Sequence, residues 1–206
     1  MVKKKTKTFN DAVLVNLLEQ FSLPILNQTS NVYFDMLENI VSQQLSGKVA
    51  SKIFQRFLDL FPNKEPLPQI LLWQEDAVLR GVGLSAAKVK YVKALAEFAM
   101  TNDLSVDTIS KMSDVQIIDL LVQVKGIGKW TVQMLLIFSL GRVDVFPVDD
   151  LAVQVGMKEL YGLSESGAAL KRRMELIAES WMPNRTTGTR LVWAYVNSKK
   201  SNAVRR

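Results

Sequence analysis

Along most of the chain, apolar residues recur at intervals of three and four, the spacing of one helix face. In NVYFDMLENIVSQQL the apolar set is Met36, Leu37, Ile40, Val41 and Leu45, and Gly47 then interrupts it. SKIFQRFLDLF repeats the pattern through Ile53, Phe54, Phe57, Leu58 and Phe61 until Pro62 stops it, because proline lacks the N–H that a helix interior needs. NKEPLPQ is a proline-rich connector. ILLWQEDAVLRGVGL and SAAKVKYVKALAEFAM follow, the second with Ser85 as N-cap and Val89, Val92, Leu95 and Ala96 on one face. SDVQIIDLLVQV opens with Ser113 and Gln116 at capping-box spacing. KWTVQMLLIFSL, DDLAVQVGMKELYG, ALKRRMELIAESW and MPNRTTGTRLVWAYVN complete the series. No run sustains the two-residue alternation of a strand, and VDVFPV, with Pro147 inside it, reads as an extended connection. The pattern predicts an all-α fold of many helices, each about 10 to 16 residues long.

Composition narrows the chemistry. A chain of 206 residues makes one large domain or two small lobes at ~150 residues per domain. Hydrophobic residues make up 48%, yet no apolar run approaches the ~18 residues of a membrane span, so the chain reads as soluble and without a membrane partner. MVKKKTKTFN is basic but has no apolar region behind it, unlike a secretory signal. Cysteine is absent, which excludes disulfides, thiolate zinc sites, iron–sulfur clusters and thiol nucleophiles, and fits an intracellular protein of cytoplasm, nucleoid or nucleus. Histidine is absent too, which excludes Ser–His–Asp triads and imidazole metal sites and leaves carboxylates, Lys, Tyr and Ser for catalysis. The net charge of +6 points to a polyanionic partner, although Lys-rich termini supply much of it and the tail KKSNAVRR reads as a solvated end.

LLVQVKGIGKWTVQMLL reads as helix, a turn with Gly126 and Gly128, and helix again. Glycines two apart permit positive φ and close approach to the backbone, and amides at the start of the following helix form a place for an anion such as a phosphate. A tight connection with a glycine C-cap is the other reading of the same letters.

VKGIGKWT resembles the helix–hairpin–helix motif. With the downstream PVDD it is similar to the helix–hairpin–helix DNA glycosylase superfamily (HhH-GPD), and most of all to AlkA-type 3-methyladenine DNA glycosylases. The likeness runs from about residue 31 to 195, through NIVSQQLSGKVA, GLSAAKVKYVKALA, GIGKWTVQMLL, DVFPVDDLAVQ and W-x-P-x-R before LVW, in the family's order. It implies a single glycosylase domain over residues 1–206, made of two helical lobes with the active-site cleft between them and the helix–hairpin–helix at about 117–138.

The resemblance also assigns roles. Bifunctional glycosylase–lyases carry a Lys just after the hairpin; Trp130 stands there, which implies a monofunctional enzyme that uses water. Cleaving an N-glycosidic bond builds positive charge on the sugar, and a carboxylate held against it stabilises that charge. Alignment on DVF places the catalytic carboxylate at Asp150, whereas spacing from the hairpin in endonuclease III-like relatives falls on Asp149; Asp150 is the choice, with Asp149 as cap or support of the helix that follows. Trp130 and Trp193 would stack on a flipped cationic base. Met134 stands in the same pocket, where the enteric relative has Tyr. Gln44 would fill the gap left by the base, with Gln43 and Ser46 near it and Leu45 as a rival. Gly126, Ile127, Gly128, Lys129, Thr131 and Arg185 would meet the DNA backbone. No cofactor is required, but backbone carbonyls of Val122, Val124 and Ile127 would take a structural sodium or potassium ion. The expected partner is double-stranded DNA with alkylated bases, bound by a monomer. The competing readings are a helix–hairpin–helix protein that binds DNA without chemistry and a glycosylase, monofunctional or bifunctional, for another damaged base.

Overall fold

The computed structural model describes residues 9–26 and 28–204, the last five by backbone alone, and all regular structure among them is helical. The chain divides into two compact units: a central unit, Asn27–Leu140, and a terminal unit that joins Met1–Leu26 to Gly141–Arg206.

In the terminal unit, α1 (Ala12–Gln20) precedes the whole central unit in sequence, and α10 (Leu151–Tyr161), α11 (Gly167–Glu179) and α12 (Arg185–Val204) follow it. Helix α12 packs against α1, α10 and α11. Trp181 is fully buried in their core, with Leu14, Leu17, Val153, Met157, Met174 and Leu191 around it. Gly156 explains how closely α10 approaches α12, since a Cβ there would come within 2.4 Å of the Val192 side chain. Asp11 starts α1 by accepting from the Leu14 amide at 3.0 Å, and its other oxygen accepts from the Tyr161 hydroxyl at 2.9 Å and the Trp181 indole at 3.2 Å. One carboxylate thus begins a helix and anchors it to residues far down the chain.

The central unit runs through α2 (Val32–Ser42), α3 (Gly47–Leu58), α4 (Pro68–Trp73), α5 (Asp76–Gly81), α6 (Ala86–Thr101), α7 (Val106–Ile109), α8 (Asp114–Leu121) and α9 (Lys129–Met134), which widens into a π-helical turn at Leu135–Ser139. Helix α6 is its spine, packed against α2, α4 and α5 through Val89, Val92, Leu95 and Ala96. Four phenylalanines, Phe34, Phe54, Phe57 and Phe61, form a chain of ring contacts. Ser85 caps α6, and Ser113 with Gln116 forms the reciprocal capping box that the spacing predicts.

Helix lengths depart from the expected 10 to 16 residues, ranging from 4 to 20. ILLWQEDAVLRGVGL is two six-residue helices, because the backbone is extended at Gln74 and Glu75. Helix α1 is absent from the sequence reading although Asp11 stands before Leu14 and Leu17 as a cap signal. The C-terminal stretch read as a solvated end is helical as far as Val204, whereas the basic N-terminus lies outside the described residues. Among the described residues, no helix is long and apolar enough to cross a membrane.

Candidate functional site

In the central unit, the connection after α8 folds back on itself: Val124 donates to Leu121 O at 3.1 Å, and Ile127 donates to Val124 O at 3.0 Å. Its two glycines do different work. Gly126 has φ +90°, and a Cβ there would lie 2.2 Å from the Tyr91 ring, so both backbone conformation and packing require glycine. Gly128 has an extended φ of −101°, and nothing lies within 4 Å of where its Cβ would be. The fold itself therefore places no demand on Gly128.

Gly128 is the N-cap of α9, where no side chain caps the helix, and Lys129 and Trp130 stand exposed beside it, Trp130 at 42%. Val124 and Ile127 are buried, which fixes the hairpin backbone from below. Thr131, also expected at the DNA backbone, is buried at 5%, so its side chain lies on the core face of α9. Met134, on the same face, is buried at 8%.

The turn between α2 and α3 meets this hairpin. Gln43 donates its side-chain amide to the Gly126 carbonyl at 3.2 Å. Gln44 adopts a left-handed conformation, φ +58°, which costs a residue with a Cβ roughly 1–2 kcal/mol. Gln44 and Leu45 are both exposed, and Ser46 makes no side-chain cap bond to α3. The two segments that the sequence reading assigned to DNA contact are thus joined by a hydrogen bond spanning 83 positions.

The terminal unit carries the paired aspartates. Asp150 is the N-cap of α10: its Oδ1 accepts from the Val153 amide at 2.8 Å and also from the Trp193 indole at 2.9 Å. This corrects the assignment of the cap to Asp149, which is exposed and pairs with Lys171 at 2.6 Å. The reason is local geometry, because Asp150 has the extended backbone, φ −69° and ψ 123°, that directs a cap side chain back at the third residue of the helix.

The loop that delivers Asp150, residues 141–149, is tied to the start of α12. Thr186 donates its hydroxyl to Arg142 O at 2.6 Å and accepts from the Val145 amide at 3.0 Å. Thr189 donates to Val145 O at 3.3 Å, and the Thr186 amide to Val143 O at 3.0 Å. Arg185 grips Asp144 with two parallel bonds of 2.8 and 2.9 Å. Burial pushes the Asp144 carboxyl up, but the bonds and charge of Arg185 outweigh it and hold the group below its ordinary value. Arg185, expected at a phosphate, is engaged in holding this loop. Asp144, Thr186 and Thr189 escaped the sequence reading because their partners lie more than forty positions away.

Among the described residues no cluster of His, Cys, Asp or Glu could hold a metal. The carbonyls of Val122, Val124 and Ile127 offer oxygen alone, the donor chemistry of a hard cation.

The model for the HhH-GPD superfamily of base excision DNA repair proteins matches residues 37–183. Over 165 residues the chain is 34% identical to DNA-3-methyladenine glycosylase 1 of Schizosaccharomyces pombe, covering 78% of this chain and 71% of that protein. The structure is similar to that of the 3-methyladenine DNA glycosylase Mag1 of the same yeast in complex with abasic DNA, with a TM-score of 0.77 at 31% identity over 90% of this chain and 92% of that one. It is also similar to the DNA-3-methyladenine glycosidase of Bacillus halodurans, with a TM-score of 0.80 at 30% identity over 93% and 87%.

Proposed function

The chain belongs to the HhH-GPD superfamily, and on that premise we propose that it is a monofunctional DNA glycosylase that releases alkylated purines, of the 3-methyladenine and 7-methylguanine type, from double-stranded DNA. The observation that carries this reading is the Asp150 carboxylate, fixed by the Val153 amide and the Trp193 indole on a loop that α12 grips. A purely DNA-binding protein has no use for such a group, because a carboxylate near phosphates weakens binding.

In the proposed reaction, the C1′–N bond of the flipped nucleotide breaks and its electron pair neutralises the cationic base. Asp150 stabilises the positive charge that develops on the sugar and orients the water whose oxygen joins C1′. The water's proton passes to Asp150 and then to solvent. Trp130 occupies the place where a lyase has its lysine, and its indole cannot form a Schiff base. Trp193, bonded to Asp150, offers an electron-rich ring to a positively charged purine, an attraction that needs no base-specific hydrogen bond. The hairpin at Gly126–Lys129 holds the strand by its backbone, which gives Gly128 the reason that the fold alone does not. A sodium or potassium ion on the Val122, Val124 and Ile127 carbonyls would add positive charge beneath that phosphate. The enzyme would act as a monomer on the cell's own DNA.

The test is release of methylated bases from alkylated DNA, measured by chromatography for the wild type, Asp150→Asn and Asp149→Asn. The expected result is activity in the wild type and Asp149→Asn and a loss of about 10²- to 10³-fold in Asp150→Asn. Full activity in Asp150→Asn with loss in Asp149→Asn would move the role to the neighbour. A wild type that releases nothing would leave a binding protein, and a borohydride-trapped covalent adduct would reveal a lyase.

A further inference from the structure

Between the end of α2 and the start of α6 lies a half-buried cation that the glycosylase reading leaves without a role. Lys88 stands in the first turn of α6, where Ser85 accepts from its amide at 3.2 Å and so fixes where the side chain begins. Its ammonium, half-buried, donates to the carbonyl of Val41 at 2.7 Å and to that of Gln43 at 2.7 Å. These carbonyls stand at the C-terminal end of α2, one in its last turn and one on its cap residue, where a helix leaves its carbonyls without partners of its own and where positive charge is favoured. The next residue, Gln44, is the one held at φ +58°. Gln43, whose carbonyl Lys88 holds, sends its own side chain to Gly126 in the hairpin.

From these contacts we infer that Lys88 is a positioning residue for DNA engagement: it clamps the end of α2 so that Gln44 stays projected in its left-handed conformation and stays in register with the hairpin. The inference rests on the glycosylase reading and deepens it, because it says what keeps the gap-filling side chain in place before DNA arrives. The physical argument is one of balance. A left-handed glutamine relaxes to an ordinary conformation unless its surroundings fix both sides of it. Lys88 fixes the preceding carbonyls, and Gln43 links the same residue to the hairpin backbone. Burial lowers the pKa of the Lys88 ammonium, while its bonds to two carbonyls favour the charged form.

The experiment separates positioning from catalysis and from folding. A duplex with 2-aminopurine next to an alkylated purine brightens when the lesion leaves the stack, and Asp150→Asn provides a background in which flipping is read without excision. In that background, adding Lys88→Met is expected to cut the fluorescence rise at least several-fold, and in the otherwise wild-type enzyme the same change is expected to slow single-turnover base release about tenfold. Lys88→Arg, which keeps donors on a long stem, is expected to recover most of both. Combining Lys88→Met with Gln44→Ala is expected to cost little more than Gln44→Ala alone, since both remove the same held side chain. Wild-type flipping and release in Lys88→Met would overturn the inference alone, and so would fully additive effects of Lys88→Met and Gln44→Ala. Loss of helical circular dichroism in Lys88→Met would overturn it as well, because the two bonds would then hold the whole unit rather than one turn. A wild type that neither flips nor releases the lesion would overturn the glycosylase reading itself.

Discussion

Asp11 and Asp150 use the same local device to different ends. Each is an N-cap whose side chain accepts from the amide three residues on, and each also accepts from a tryptophan indole. Asp11 spreads its bonds over both oxygens, Oδ1 to Leu14 and Oδ2 to Tyr161 and Trp181, and its tryptophan is fully buried. Asp150 Oδ1 accepts from the Val153 amide and from the Trp193 indole, and that tryptophan is half-buried. A carboxylate whose indole partner is fully buried serves the fold. One whose indole partner reaches the surface lies where a ligand can approach it. A helix cap and an indole bond do not by themselves tell the two apart.

Substitutions should pull the two aspartates apart. The largest effect is expected for Asp150→Asn, a fall in base release of about 10²- to 10³-fold, near 3–4 kcal/mol of transition-state stabilisation. Asparagine still caps and still accepts the indole, so the melting temperature should hardly move; a collapse in stability would show that Asp150 is a second Asp11. Asp11→Ala removes a cap and strands a buried hydroxyl and indole N–H, and should destabilise the protein by roughly 2–3 kcal/mol, lowering the melting temperature by about 5–10 °C. Base release per folded molecule should be unchanged, as measured below the transition. Trp193→Phe keeps an aromatic face but gives up the bond to Asp150, and should slow release by about tenfold, reading the worth of a single charge-assisted bond. The smallest effect belongs to Lys171→Met: it breaks an exposed pair with Asp149 and should shift stability by less than about 0.5 kcal/mol and leave release intact. A large loss of activity there would restore Asp149 as the working carboxylate.

Much of this molecule is written locally. The capping box at Ser113 and Gln116, the cap at Ser85 and the apolar face of α6 all follow from residues within one or two turns of each other, and these elements stand where the spacing puts them. The order of motifs that marks the family is equally linear. What the sequence conceals is of two kinds. One is backbone conformation at a single residue: adjacent aspartates look alike as letters, and only the extended backbone at position 150 makes that one the cap. The other is pairing at a distance. Nothing near Arg185 in the sequence shows that Asp144, 41 positions away, accepts from two of its nitrogens, nor that the Thr131 side chain is buried. Asp11 with Tyr161 and Trp181, 150 and 170 positions on, is the extreme case.

The stitched loop before α10 has a consequence for rate as well as for shape. Thr186, Thr189 and the Arg185–Asp144 pair fix residues 142–145 through bonds to the start of one helix, and Asp150 is fixed by another. The carboxylate's dipolar surroundings are therefore set when the chain folds. In the proposed reaction, little reorganisation energy remains to be supplied as the sugar becomes positive, so an enzyme without histidine or cysteine can let one rigidly held charge do most of the work.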